Sequence, residues 1–289
     1  MNPQAGGGKS KDCLFDIVKS LNDKDCEVTV YTLEPGYRSA EQILWEHPGA
    51  YDIYACCGGD GTLNHFINAC KKLFIRQPIG YYPLGSTNDF ARNLWPNPDI
   101  ECVSNSIARG EAFAYDLGDF NGTYFNYIAA FGAFTDVSYR TDQKFKDAFG
   151  YLAYILNGIA SLPQSLRQNI ELCYTVNGVE HTGNYIFGSV SNSTSIGGFS
   201  SEIMQHAQLD DGMFEVVLVK SPAHVYELGE IVAALSTGVV NEKYMELFQT
   251  DEIEFLFTKP VRWTLDGEDS GEEDKVKIRV VKNAMYIMA

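Results

Sequence analysis

The sequence predicts an α/β domain built on a doubly wound parallel sheet, followed by an antiparallel β-sandwich domain. Three observations carry this. Strand-like and helix-like segments alternate over the first 117 residues. The apolar run Tyr51 to Cys57 breaks at Gly58-Gly59, and apolar residues resume at helical spacing at Leu63, Phe66, Ile67, Cys70 and Phe74. From about Asp116 the texture changes to short aromatic-rich strands with hairpin signals at Asn121-Gly122 and Asn177-Gly178.

Taken in order, Ser10 can cap a helix whose apolar residues are Leu14, Ile17, Val18 and Leu21. Val28 to Thr32 reads as a strand. Ser39 and Gln42 form a capping-box pattern ahead of Ile43 and Leu44. A strand at 51–57, a helix at 63–74 and a strand at 78–83 complete a βαβα series. In the second half, strands are expected at 184–191, 213–219, 252–257, 261–266 and 276–281, and helices near 145–161 and 222–236. The expected domains are 1–117 and 118–282, with 283–289 returning to the first and a cleft between the two holding the site.

Composition narrows the function. The 289 residues carry a formal charge of −16, and no basic stripe is present to neutralise a nucleic acid backbone. Seven scattered cysteines show neither a CxxC pair nor metal spacing, and read as reduced thiols. No basic-then-apolar leader is present. The longest apolar stretch, Phe149 to Leu166, is broken by Asn157, Gly158, Ser161 and Pro163, so a cytoplasmic protein is expected. Contact with an anionic leaflet would need local basic clusters. The candidates are Lys9/Lys11, Lys71/Lys72/Arg76 and Arg140/Lys144/Lys146, each of which also reads as a solvated face.

The strongest chemical signal is Gly58-Gly59-Asp60-Gly61-Thr62-Leu63-Asn64, where a strand ends in glycines and a helix begins. Glycines let the backbone approach a phosphate, and amides at the helix N-terminus point at it. Asp60 inside such a cradle calls for a cation, with Mg²⁺ between it and phosphate oxygens. A second turn, Leu84-Gly85-Ser86-Thr87-Asn88-Asp89-Phe90-Ala91-Arg92, follows strand 78–83 on the same sheet edge; it also reads as a plain N-cap by Asn88 or Asp89. A third, Asn2-Pro3-Gln4-Ala5-Gly6-Gly7-Gly8-Lys9-Ser10, imitates the end of a P-loop, but proline stands where the first P-loop glycine belongs. Acidic turns flank two later strands, at Asp210-Asp211-Gly212-Met213 and at Asp266-Gly267-Glu268. Each also reads as a solvated turn, yet phosphoryl transfer needs metal ligands and a base. The five histidines are dispersed without ligand spacing, and no Gly-x-Ser-x-Gly elbow occurs.

Asn2-Pro3 with Gly6 to Gly8, Gly58 to Asn64, Gly85 to Arg92, Leu209 to Val216 and Asp266 to Glu268, in this order, resemble the diacylglycerol kinase catalytic-domain family, particularly its stand-alone bacterial lipid kinases. The Gly-Gly-Asp-Gly-Thr element alone is shared with NAD kinases and phosphofructokinases. The resemblance implies an NAD kinase/diacylglycerol kinase-like fold and transfer of the ATP γ-phosphate to a lipid hydroxyl, diacylglycerol first. It places the ATP phosphates on Gly58, Gly59, Asp60, Gly61, Thr62, Leu63 and Asn64, with Asp60 acting through Mg²⁺. Other nucleotide contacts fall on Asn2, Pro3, Gln4, Ala5, Gly6, Thr32, Gly85, Ser86, Asn88 and Asp89. Glu268 matches the catalytic base. A second, structural Mg²⁺ falls on Gln208, Asp211 and Met213, with Asp210 linked by water to the Asp60 network. The implied partners are a lipid alcohol and the inner face of the membrane, without nucleic acid, and a homodimer is admitted.

Two departures stand out. His65 occupies a position that is usually acidic in the family, next to the ribose and metal contacts. Met1 directly precedes Asn2-Pro3, so the strand that feeds this loop in the family is expected to be absent, with loss of a central strand of the sheet. The Phe149 to Leu162 segment has an apolar helical face that suits a lipid cleft or a sheet cover. An NAD kinase-like enzyme with a soluble acceptor, and a nucleotide-binding regulator without turnover, remain as alternative readings.

Overall fold

The structure is a computed structural model that describes residues 1–34, 36–86, 88–95, 98–132, 169–193, 208–237 and 240–289. The segment expected as a helix near 145–161 lies outside the described residues. Two units separate by contact: residues 1–117 with 282–289, and residues 118–281.

In the first unit a helical turn at Ala5–Lys11 leads to α1 (Leu14–Asn22), α2 (Ala40–Glu46), β1 (Tyr54–Gly58), α3 (Asp60–Lys72), β2 (Ile79–Pro83), α4 (Asp89–Leu94), α5 (Ile100–Arg109) and the start of β3 (Ala112–Phe120). β1 and β2 pair in parallel from Tyr54↔Ile79 to Gly58↔Pro83. The end of the chain adds beside β2 through Ile287↔Ile79, also in parallel. The buried carboxylate of Asp116 accepts the Asn283 N–H at 2.7 Å and fastens this returning segment. Local chemistry sets the helix ends. Ser39 and Gln42 form the full capping box of α2. Asp99 caps α5 through the Cys102 N–H, and Gly110 ends it at φ +71°.

Two expectations fail here. Ser10 does not cap a helix: its buried hydroxyl donates to Asn2 O at 2.7 Å, and α1 starts four residues later without a side-chain cap. Val28 to Thr32 forms no strand. Its segment bonds instead to Met1, whose amine donates to Tyr31 O and whose carbonyl accepts the Leu33 N–H, both at 2.8 Å. β-branched residues favour a strand only where a neighbouring strand supplies a ladder.

The second unit is antiparallel. It holds the end of β3, then β4 (Thr123–Phe125), β5 (Ile128–Gly132), β6 (Ile170–Val176), β7 (Val179–Ser191), β8 (Phe214–Lys220), α6 (Val225–Thr237), β9 (Met245–Thr250), β10 (Glu252–Leu265) and most of β11 (Glu268–Met288). The order runs β11-β10-β5-β7-β8-β9, with β6 pairing β10 and β7. Both expected Asn-Gly hairpins form, with Asn121 at φ +48° and Asn177 at φ +52°. The strands expected at 252–257 and 261–266 are one strand, β10, whose register against β11 shifts between Leu256 and Val261. Pro260 lies in that shift, where its missing N–H interrupts no ladder bond. The core is aromatic: Trp263 packs on Phe131, Phe255 and Phe257 with ring centroids 4.7, 5.7 and 5.9 Å away.

Candidate functional site

Three loops of the first unit meet backbone to backbone at the C-terminal ends of β1 and β2, the edge where open parallel sheets bind ligands. Leu84 N–H donates to Gly58 O at 2.8 Å, tying the second loop to the first. A Cβ on Gly85 would lie 2.5 Å from Gly59 Cα, and one on Gly6 would lie 2.6 Å from Leu84 O. Any side chain at these positions would push the loops apart. Asn2 joins the third loop to the first: its Nδ2 donates to Thr62 Oγ1 at 2.9 Å, and its N–H donates to Cys57 O at 2.9 Å. Its Oδ1 accepts the Gln4 N–H at 3.0 Å, which turns the chain into Gly6, Gly7 and Gly8. These three take φ of +60°, +69° and +93°, a left-handed run that only glycine adopts without about 1–2 kcal/mol of strain per residue.

The side chains behind the loops have separate tasks. Asp60 opens α3 and faces the start of α4, accepting the Asp89 N–H at 3.1 Å, the Phe90 N–H at 3.3 Å and the Tyr81 hydroxyl at 3.4 Å. Asn88 is turned inward. In the left-handed conformation at φ +53°, it accepts the Gly85 N–H and donates to Pro83 O and Gly85 O at 2.8, 3.1 and 3.0 Å. Its amide braces the second loop and is engaged there. Leu63 and Asn64 are buried, so what they offer a ligand is backbone, while Ser86, His65 and Thr32 are exposed. Ala5 is buried beneath the third loop, Pro3 is half-buried and Gln4 exposed. Gly61 lies in the first turn of α3. Close-packed glycines and a helix N-terminus suit a phosphate, which accepts from N–H groups and tolerates no intervening side chain. Burial pushes the Cys57 thiol up to about 11, so it stays neutral at the foot of this cradle.

In the second unit, Asp266 and Gly267 form the turn between β10 and β11, at φ +50° and +84°. Asp266 is 3% exposed and accepts hydrogen bonds from Asn126, Tyr127 and Ile128. Asn126 N–H and Nδ2 donate to one oxygen at 2.7 and 2.9 Å; Tyr127 and Ile128 N–H donate to the other at 2.9 and 3.2 Å. The turn is thereby anchored, and Glu268 leaves it exposed as the first residue of β11.

The other acidic turn precedes β8. Gln208, Asp210 and Asp211 are exposed, and Asp211 Oδ1 accepts the Met213 N–H at 2.9 Å. Gly212 turns the chain at φ +77°. Below it Glu215 is 1% exposed, with Oε1 on the Gln249 amide at 3.0 Å and a buried Oε2 that has no hydrogen-bond partner among the described residues. Burial, reinforced by the charge of Asp211, pushes this acid up to about 7. The donors are all oxygens, as a hard cation requires. Among the described residues no three His, Cys, Asp or Glu side chains gather closely enough to hold a metal.

The diacylglycerol kinase catalytic domain family matches residues 1–120, and the YegS C-terminal NAD kinase beta sandwich-like domain matches residues 129–289. A diacylglycerol kinase of Bacillus subtilis is 31% identical over 275 residues, covering 93% of this chain and 88% of that protein. The chain belongs to the diacylglycerol kinase family. A diacylglycerol kinase of Staphylococcus aureus is 32% identical, with 94% of this chain and 85% of that protein covered. A solved diacylglycerol kinase structure from Bacillus anthracis shares the fold, with a TM-score of 0.77 at 22% identity, over 99% of this chain and 94% of that one. The second domain is thus of the β-sandwich type expected. Residues that sequence reasoning missed in this diacylglycerol kinase-like chain are the internal supports: Asn126 under Asp266, and buried Glu215 below the acidic turn. For Asp266 one signal was legible, since an Asp-Gly pair between two strands is a hairpin turn. Among the described residues no helix is long and apolar enough to cross a membrane.

Proposed function

We propose that the protein transfers the γ-phosphate of ATP to a lipid hydroxyl, with diacylglycerol the first choice of acceptor and phosphatidic acid the product. The observation that carries this reading is the backbone packing of Gly6, Gly59 and Gly85, a phosphate cradle that a single added Cβ would break. The ATP phosphates would lie against Gly58 to Asn64, with Asn2 to Gly6, Thr32, Gly85, Ser86, Asp89 and His65 around the rest of the nucleotide. Glu268, on its anchored turn, takes the proton of the attacking hydroxyl as the oxygen displaces ADP in line from the γ-phosphorus. When bound, Mg²⁺ neutralises phosphate charge; Asp60 would hold it in the cradle, and Gln208, Asp211 and Met213, with Asp210 behind them, would hold a structural ion. The protein's own share is positioning, since a loose transition state asks for little covalent work. The enzyme would act at the cytoplasmic face of a membrane, without crossing it.

The test is transfer of labelled γ-phosphate, with and without EDTA, to diacylglycerol, phosphatidylglycerol, undecaprenol and sphingosine in mixed micelles, and to NAD in solution. Glu268→Gln should lower the rate about 10²- to 10⁴-fold while leaving ATP binding intact. Full activity in that variant would remove Glu268 from the mechanism. The NAD kinase-like description of the β-sandwich favours NAD as the second acceptor class, and transfer to NAD alone would replace the lipid reading.

A further inference from the structure

The far end of α3 carries a feature that the phosphate cradle does not explain. Phe74 is 84% exposed and sits at φ +55°, directly after the helix, where glycine is the usual residue. Ile75 N–H on Cys70 O at 2.9 Å and Phe74 N–H on Lys71 O at 3.3 Å close this turn. A bulky side chain in the left-handed region is strained, and at this exposure it gains almost no packing in return. The chain keeps Phe74 at a cost to its own stability. On the neighbouring helix α2, Trp45 is 71% exposed. It lies one turn beyond Glu41 on the same face, and the Glu41 carboxylate holds Lys72 Nζ at 2.8 Å.

The chain segment that carries Phe74 is opposite in charge to the whole chain; beside it on α2, Glu41 pairs with Lys72 and Glu46 with Arg38, so the surplus positive charge is that of Lys71 and Arg76. Residues 61–88 contain no Asp or Glu, although the chain holds 38 of them and has a net charge of −16. In the same stretch Lys71, Lys72 and Arg76 flank Phe74. We propose that Trp45 and Phe74, with Lys71 and Arg76, form a face that docks on an anionic lipid bilayer. Tryptophan and phenylalanine insert at the headgroup boundary, and cations beside them are attracted to an anionic leaflet. A second copy of this chain fits less well. Two copies at −16 repel, and two aromatic side chains offer roughly 300–500 Å² against the ~800 Å² per partner of a stable interface. The 13 residues of α3 separate this face from the glycine loops by roughly 20 Å, so it anchors the protein and takes no part in the chemistry. The proposal stands on these residues and does not depend on which acceptor is phosphorylated.

Fluorescence can read the face directly. Of the three tryptophans, Trp95 is 6% and Trp263 0% exposed, so a response to lipid belongs to Trp45. The full chain is titrated with vesicles of brominated phosphatidylglycerol and of brominated phosphatidylcholine, at low and high salt. Quenching and a blue shift with phosphatidylglycerol, weak with phosphatidylcholine and relieved by salt, support docking. Phe74→Gly tests it without risk to the fold, because glycine suits φ +55°. That variant should melt at the same or a higher temperature and partition about tenfold or more weakly. Absence of quenching in the wild type, or undiminished partition of Phe74→Gly, overturns the proposal. So does a concentration-dependent dimer that Phe74→Gly dissolves, which would assign the face to a second copy.

Discussion

Replacing Gly85 with alanine separates steric contact from backbone strain. Gly85 lies outside the left-handed region, so alanine can adopt its backbone conformation, but the new Cβ would lie 2.5 Å from Gly59 Cα and 2.7 Å from Asn88 Oδ1. Ordinary contact begins near 3.4 Å, so the two loops must separate by about 1 Å. The obstacle is main chain, which cannot swing aside. Overpacking of this kind costs about 1–3 kcal/mol, and the upper end applies because the movement also strains the three bonds of the Asn88 amide. A loss of ~3 kcal/mol corresponds to a fall in Tm of about 6–12 °C for a protein of this class. Calorimetric melts give that number, and titration calorimetry with ATP should show affinity about 100-fold lower, since a cradle opened by 1 Å no longer presents its amides together. Two comparisons sharpen the test. Gly59→Ala meets Gly85 Cα at 3.1 Å and should be milder; Gly7→Ala meets nothing within 4 Å and carries only the strain of φ +69°. If Gly85→Ala matches the wild type in both measurements, or loses no more ATP affinity than Gly7→Ala, direct loop contact is not what builds the site.

Asp266→Ala would remove the acceptor shared by the Asn126, Tyr127 and Ile128 donors, and urea melts should report a loss of about 3–5 kcal/mol. Asp266→Asn retains an acceptor on one side only and should fall between. Glu215 predicts a pH dependence: burial holds its folded acid at about 7, above the ordinary 4.5, so the folded state binds the extra proton in that window. Stability from this group is fully present below pH 4.5, declines as pH rises towards 7, and is flat above it. The total effect is at most about 3 kcal/mol. Glu215→Gln, a neutral isostere, should abolish this slope in chemical denaturation series run with EDTA, and an unchanged slope would mean another group is titrating.

What the sequence made legible was local. The switch from strand to helical spacing at Gly58-Gly59, the Ser39/Gln42 capping box and the two Asn-Gly hairpins are each decided within a few residues, and the structure forms them there. What it hid depends on partners distant in the chain. Asp266 reads as a solvated turn residue because its donors lie 138 to 140 positions away. Asn88 reads as a cap or a ligand contact, since nothing local reveals that Pro83 O and the Gly85 backbone will face its amide. β11 was expected over 276–281 but runs from Glu268 to Met288, and its acidic residues Glu272, Glu273 and Asp274 suppress the apolar signal. Conversely, Val28 to Thr32 has strand composition and forms none. The same division governs the candidate site: its glycines were visible because each solves a local backbone problem, whereas their purpose, contact between Gly59 and Gly85, exists only once β1 and β2 lie side by side. A mutation that spares every local preference and touches only that contact therefore tests what the sequence could not display.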